Sequence, residues 1–291
     1  MGACADCVTK TTSAFANAMN DRLSCTQNCV WLFLTDGQSA HLMVRYRIEG
    51  IMSAGNNDRL AVLIDAENAQ ASLVSELLAE ISRYGVASVK RAYGDWTTPN
   101  LKGWKSHLHK HAIQPVQQFT YTTGKNGSDS ALIIDAMDLL HSGRFDGFCL
   151  VSSDSDFTRL ATRLRESGVG VYGFGEAKTP ESFVSACDRF IFTEILRPEP
   201  IGKTAPAGLT NMPLRTVIAP AVEASLRDDG WALLAAVGAY LGKAYPSFDS
   251  RNYGYSKLSE LVRGQSFLDV NEARTGDDSG NVLIRVRMKG Q

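Results

Sequence analysis

Residues 59–68, Arg59-Leu60-Ala61-Val62-Leu63-Ile64-Asp65-Ala66-Glu67-Asn68, set an unbroken apolar run, Leu60 to Ile64, directly against a carboxylate. A run of that length reads as a strand. From Ala69 to Arg83 the period changes: Leu73, Leu77, Leu78 and Ile81 recur at helical spacing, and Gly85 ends the helix. The alternation then repeats. Val86 to Tyr93, Ile113 to Val116, Phe148 to Val151 and Val169 to Phe174 read as further strands, with a short one at Phe190 to Phe192. Helices fall at Leu101 to His111, from a Ser128 cap to His141, at Asp156 to Glu166 and from near Pro180. Repeated strand–helix units imply an α/β fold, a parallel sheet with helices on both faces. Sites in such sheets gather at the carboxyl ends of the strands.

The acidic residues fall at those ends. Asp65 follows the first strand; Asp154 and Asp156 follow the fourth, in Ser152-Ser153-Asp154-Ser155-Asp156-Phe157. Asp129 opens the helix before that strand, after Lys125-Asn126-Gly127-Ser128. If the first and fourth strands are neighbours, four carboxylates converge. Like charges crowd together only where something cancels them, and Mg²⁺ or Mn²⁺ does so with oxygen ligands. Bound metal activates water or clamps a phosphoryl displacement. Lys125 would meet a phosphate or the attacking water, and Asn68 would orient Asp65 or a water. Asp129, Asp154 and Asp156 each also suit a helix N-terminus, as a cap or by their charge.

Asp135 lies about 120° around its helix from Asp129, so both cannot face one ion squarely. Support to the site and a structural pairing are equally open to it. Asp95 reads as a turn residue, and Trp96 and Trp104 as core or as platforms for bases. His107, His109 and His111 alternate and so share no helical face. Gly173-Phe174-Gly175 lacks the rest of a dinucleotide fingerprint.

Pro198, Pro200, Gly202, Pro206 and Gly208 mark a linker. Beyond it, helix-length segments at Leu214 to Arg227, Trp231 to Lys243 and Tyr255 to Arg263 precede two strands, Phe267 to Val270 and Val282 to Val286. Three helices and a hairpin suggest a small winged helix. Residues 201–291 carry 11 Lys and Arg against 9 Asp and Glu, a balance of +2. Lys243, Arg251, Lys257 and Arg263, interleaved with Tyr253 and Tyr255, would meet phosphates and stack on unpaired bases, or form a core with a solvated charged face.

The whole chain has 291 residues, 44% hydrophobic and 21% charged, with net charge −1. These values describe a folded protein, not a disordered or coiled-coil chain, and not a polycation that coats nucleic acid by charge alone. The longest early apolar run, Val30 to Leu34, is far short of a membrane span. No basic segment precedes an apolar one, and Asp6 spoils a myristoylation motif, so the chain reads as cytoplasmic and free of membranes. Cys4, Cys7, Cys25 and Cys29 approach a zinc-ribbon spacing. Residues 1–57 otherwise show no period and change character at Met52, which favours a disordered leader or an over-extended start.

Leu63-Ile64-Asp65-Ala66-Glu67-Asn68, Gly124-Lys125-Asn126-Gly127-Ser128-Asp129, Ile134-Asp135-Ala136-Met137-Asp138 and Ser152-Ser153-Asp154-Ser155-Asp156-Phe157 together resemble the NYN domain, LabA-like and within the PIN-like nuclease superfamily. Tyr172-Gly173-Phe174-Gly175-Glu176 and Ala186-Cys187-Asp188-Arg189-Phe190 extend the resemblance over roughly 58–197. It implies a metal-dependent ribonuclease with a Rossmann-like (PIN-like) parallel sheet, whose acidic positions map onto Asp65, Asp129, Asp154 and Asp156, with Asn68 and Lys125 alongside. Gly230-Trp231-Ala232, Phe248-Asp249, Arg251, Tyr253-Gly254-Tyr255 and Lys257-Leu258 resemble the OST-HTH/LOTUS domain, a winged helix associated with RNA binding. The expected order is a leader (1–57), a nuclease domain (58–197), a linker (198–211) and an RNA-binding domain (212–291). The rival is an RNA-binding scaffold with a slow or inactive nuclease domain; a small-molecule phosphatase is a third reading. A homodimer stays open, as do the RNA target, cleavage of DNA, endo- against exonuclease action and the number of metals.

Overall fold

The computed structural model describes residues 57–119, 127–197, 213–274 and 282–290, together with strands β1 (Cys29–Phe33) and β2 (Met43–Arg47). The two strands pair antiparallel, Cys29 opposite Arg47 and Phe33 opposite Met43. Cys4, Cys7, Cys25 and the linker at 198–211 lie outside the described residues.

Six strands form one parallel sheet: β3 (Arg59–Asp65), β4 (Val86–Gly94), β5 (Gln114–Gln117), β6 (Gly147–Val151), β7 (Gly170–Gly175) and β8 (Arg189–Phe192). Their order is β5-β4-β3-β6-β7-β8. The chain therefore builds outward from β3 to β5, then returns to lay β6 on the other side of β3. That reversal places a crevice beyond the carboxyl ends of β3 and β6. The condition left open by the sequence is met: the first and fourth strands are neighbours, with Ile64 opposite Val151.

Both faces of β3 are covered, which is why its sequence runs apolar without alternation. Leu60, Val62 and Ile64 pack with α1 (Val74–Ile81) and α2 (Trp104–His111) through Leu77, Ile81 and Trp104. Ala61 and Leu63 face α3 (Gly127–His141), α4 (Thr158–Glu166) and α5 (Glu181–Ala186) through Leu132, Ala136, Leu160 and Phe183. Each fully buried Leu or Ile contributes about 2 kcal/mol by leaving water.

Two expected helices are shorter than their periodicity suggests. Ala71–Leu73 and Pro99–Leu101 are single 3-10 turns that lead into α1 and α2. Gly173 has a packing reason in β7: an added Cβ would lie 2.4 Å from Phe190 Cδ2.

The second layer of structure comprises α6 (Leu214–Glu223), β9 (Ala232–Leu233), α7 (Leu234–Ala244), α8 (Leu258–Arg263), β10 (Leu268–Arg274) and β11 (Val282–Met288). Val217, Ile218, Val237, Leu241, Leu261 and Val286 form its core. The sheet has three strands in the order β10-β11-β9, because Ala232 and Leu233 pair with Val286 and Arg285. Two residues are too short for an alternation to reveal, so the pattern from Trp231 predicts a helix where this strand stands.

This part touches the parallel-sheet domain. Phe190 N–H donates to the Pro246 carbonyl (2.9 Å), and Arg251 binds Glu80 of α1.

Candidate metal and nucleic-acid site

Asp65 ends β3 and is almost fully buried. Four donors converge on it: Asn68 Nδ2 (2.7 Å) and Ser152 Oγ (2.8 Å) on Oδ2, with the N–H groups of Glu67 (3.2 Å) and Asn68 (3.3 Å) on Oδ1. Burial pushes its carboxyl above the ordinary range, and the hydrogen bonds from Asn68, Ser152 and Glu67 oppose that rise. Asn68 thus orients Asp65, the first of the two roles its position allows.

Asp154 follows β6. Its Oδ1 accepts from Asp156 N–H (2.9 Å), capping the 3-10 turn Ser155–Phe157, while its own N–H donates to Ser152 Oγ (3.1 Å). The capping role of Asp154 is real and leaves Oδ2 for another partner. Asp129, in the first turn of α3, completes the group. Ligand oxygens of Asp129, Asp154 and Asp156 lie within 4.8 Å of one another. The Asp129 carboxyl is pushed up to about 6, first by burial, then by the charges of Asp65, Asp154, Asp156 and Glu67. Four carboxylates thus act on a fifth, a balance that a divalent cation with oxygen ligands would reverse. The donor set therefore fits Mg²⁺ or Mn²⁺.

Ser128 does not cap α3 as expected. The helix begins at Gly127, and Ser128 Oγ donates to Glu67 Oε2 (2.8 Å). Glu67 Oε1 accepts from Asp95 N–H (3.3 Å), so this side chain ties the ends of β3 and β4 to the start of α3. Sequence reasoning passed over Glu67 and Ser152. A polar residue directly beside a strand-end aspartate was the available signal.

Other residues lie elsewhere. Lys125 is outside the described residues. Asp135 is bound by Arg91 and Tyr93 of β4. Asp95 holds a turn, accepting from Thr97 and from Gln117 Nε2 (2.9 Å). Trp104 is core and donates to the Ala66 carbonyl (3.1 Å); Trp96, half-buried, donates to the Val116 carbonyl (3.0 Å).

In the C-terminal part, Lys243 and Lys257 are exposed. Tyr253 and Tyr255 are half-buried against the core around Leu261, with the Tyr253 ring 5.9 Å from that of Phe248. Arg251 is engaged by Glu80 and Asp249. A basic and aromatic group that the sequence reading omitted gathers on β11, where Arg287 and Arg285 lie 4.6 and 5.9 Å from the centre of the Trp231 ring.

A doubly wound parallel sheet with carboxylates at its switch point, followed by a small helical domain with an antiparallel sheet, defines a PIN-like α/β protein with an appended module. Residues 59–196 are an NYN domain and residues 211–279 an OST-HTH/LOTUS domain. No curated protein matches the chain. Among solved structures, a protein of unknown function from Vibrio parahaemolyticus is 17% identical over 48% of this chain and 94% of its own, with a TM-score of 0.41. A fragment, residues 175–257, of a Chromobacterium violaceum protein is 42% identical over 28% of this chain and 85% of its own, with a TM-score of 0.24. An uncharacterized Nitrosomonas europaea protein is 34% identical over 33% of this chain and 89% of its own, with a TM-score of 0.26.

Proposed function

We propose that the chain is a metal-dependent ribonuclease whose C-terminal module captures RNA. The observation that carries this reading is the meeting of Asp129, Asp154 and Asp156 within 4.8 Å beside buried Asp65, in an NYN nuclease-family domain followed by an OST-HTH/LOTUS domain. Asp129, Asp154 and Asp156 would hold Mg²⁺ or Mn²⁺. Such an ion supplies charge neutralisation for a phosphodiester and acidifies water.

The chain's own residues do the positioning. Asn68 and Ser152 fix the Asp65 carboxylate, and Ser152 also holds the Asp154 backbone, so one hydroxyl sets the spacing between the two strand ends. Glu67 holds the first turn of α3, and with it Asp129, against the same edge. Lys125, two residues before α3, would neutralise charge that develops on the phosphate. Lys243, Lys257, Tyr253 and Tyr255 would meet RNA on the second domain. Arg251 is assigned instead to holding that domain in place. Among the described residues no helix is long and apolar enough to cross a membrane.

Cleavage of a labelled single-stranded RNA pool in Mn²⁺, Mg²⁺ or EDTA, with wild type beside Asp154→Asn, tests the reading. Metal-dependent cleavage lost in the variant supports it. RNA binding without cleavage, dependent on residues 212–289, moves the protein to the scaffold reading.

A further inference from the structure

Between Asp95 and Asp129 the sequence contains no Asp or Glu, yet it holds Lys102, Lys105, Lys110 and Lys125 and three of the chain's five histidines. In a protein of net charge −1 this is a marked local imbalance, and the fold sets the part that carries Lys102 and Lys105 next to the turn after Asp65. Trp104, the first residue of α2, donates its indole N–H to the carbonyl of Ala66, the residue after Asp65. Leu101 packs so closely on Gly94 that an added Cβ there would lie 2.7 Å from Leu101 Cδ1 and 3.5 Å from Glu67 Cγ. The start of α2 is therefore anchored on the turn that carries Asp65, Glu67 and Asn68.

From that anchor the basic side chains run outward. Residues 102–111 are helical throughout, since Lys102 and Gly103 already have right-handed helical backbone before α2 begins. Lys102, Lys105 and His109 stand at i, i+3 and i+7 and so share one face, which extends about 10 Å along the axis. All three are exposed, and neither lysine forms an ion pair among the described residues. The opposite side of the helix is committed to packing, through Trp104 and Leu108. His107 and His111, with ring centres 6.2 Å apart, flank it, and Ser75 Oγ lies 3.2 Å from His111 Nε2.

A cluster of carboxylates repels a polyanion, so a substrate strand needs positive potential on the approach. We propose that this face of α2, Lys102, Lys105 and His109, binds the phosphodiester backbone of single-stranded RNA on its way to the carboxylates. The assignment rests on the ribonuclease reading for its substrate class, but the contact itself is independent of cleavage.

The test is equilibrium binding of a fluorescein-labelled single-stranded RNA to the full chain in EDTA, titrated at several salt concentrations. Wild type is compared with Lys102→Gln/Lys105→Gln and with a charge-matched control, Arg144→Gln/Arg163→Gln, whose sites are both exposed and outside α2. Two lost phosphate contacts lower the slope of log affinity against log salt by about 1.4. The lysine variant shows that fall and weaker binding, while the control keeps the wild-type slope. An unchanged slope in the lysine variant, with wild type binding RNA, overturns this assignment and leaves the ribonuclease reading standing. Failure of wild type to bind RNA overturns both.

Discussion

The guanidinium of Arg251 and the carboxylate of Glu80 meet in a two-pronged pair, Nη1 to Oε2 and Nη2 to Oε1 each at 2.9 Å, across 171 positions of chain. Arg251 also binds Asp249 (2.8 Å), and Arg83 binds both oxygens of Glu80 (3.0 and 3.1 Å). Burial works against the charge on Glu80, and the bond and charge of Arg251, with those of Arg83, outweigh it and hold the carboxyl below its ordinary value. Asp249 is depressed in the same way.

Removing Arg251 would therefore leave two carboxylates short of their partner. Arg251→Ala costs about 3 kcal/mol at neutral pH. A depressed folded-state pKa means that the unfolded chain takes up protons first as pH falls. The stabilisation is complete above the ordinary values of 4.5 and 3.8 and is lost as pH drops through the lower folded-state values. Urea midpoints of wild type and variant should differ at pH 7 and converge below pH 3.8.

Asp129 has the opposite sign. Its folded-state value of about 6 lies above the ordinary 3.8, so the native protein binds more protons than the unfolded chain between them. Stability without metal falls as pH rises through that interval. In EDTA at pH 7.5, Asp129→Asn should be more stable than wild type by on the order of 1 kcal/mol, after allowance for solvent screening. At pH 3.5 the two should coincide. Mn²⁺ should raise the melting temperature of wild type but not of the variant, and less at pH 5 than at pH 7.5, because protons compete for the ligands.

Ser152 donates to Asp65 and accepts from the Asp154 N–H, both within 3.1 Å. Ser152→Ala strips a buried carboxylate of one donor and costs about 1–2 kcal/mol. Cleavage should fall roughly tenfold as the two strand ends lose their common tie. Ser152→Thr, which keeps the hydroxyl, should recover much of the rate in the same RNA assay.

Asp135 joins α3 to β4 through Arg91 and Tyr93. The Arg91 and Asp135 side chains are 27% and 22% exposed, enough burial for the pair to matter. Asp135→Asn should cost about 2 kcal/mol in urea unfolding, a hydrogen bond to a charged group being worth about 1.5–3. Tyr93→Phe should cost less, since Arg91 remains.

The local pattern of this sequence is enough to determine the parallel α/β architecture and the carboxylates at its strand ends. An apolar run closed by Asp65, and another closed by Ser152-Ser153-Asp154, state both the strand and its functional end, because backbone periodicity and hydrophobicity are properties of neighbours in the chain. The two-residue strand Ala232–Leu233 carries no such pattern, and it exists only because β11 offers it a partner. Which partner each charge meets is likewise decided by tertiary contact. Asp135, open in sequence to a site or a pairing, meets Arg91 and Tyr93; Arg251, open in sequence to a phosphate or a solvated face, meets Glu80 of α1. A carboxylate or guanidinium looks the same in sequence whether it meets solvent, substrate or a buried partner. Its role is set by the dielectric and the counter-charge within a few ångströms, and those come from residues far away in the chain.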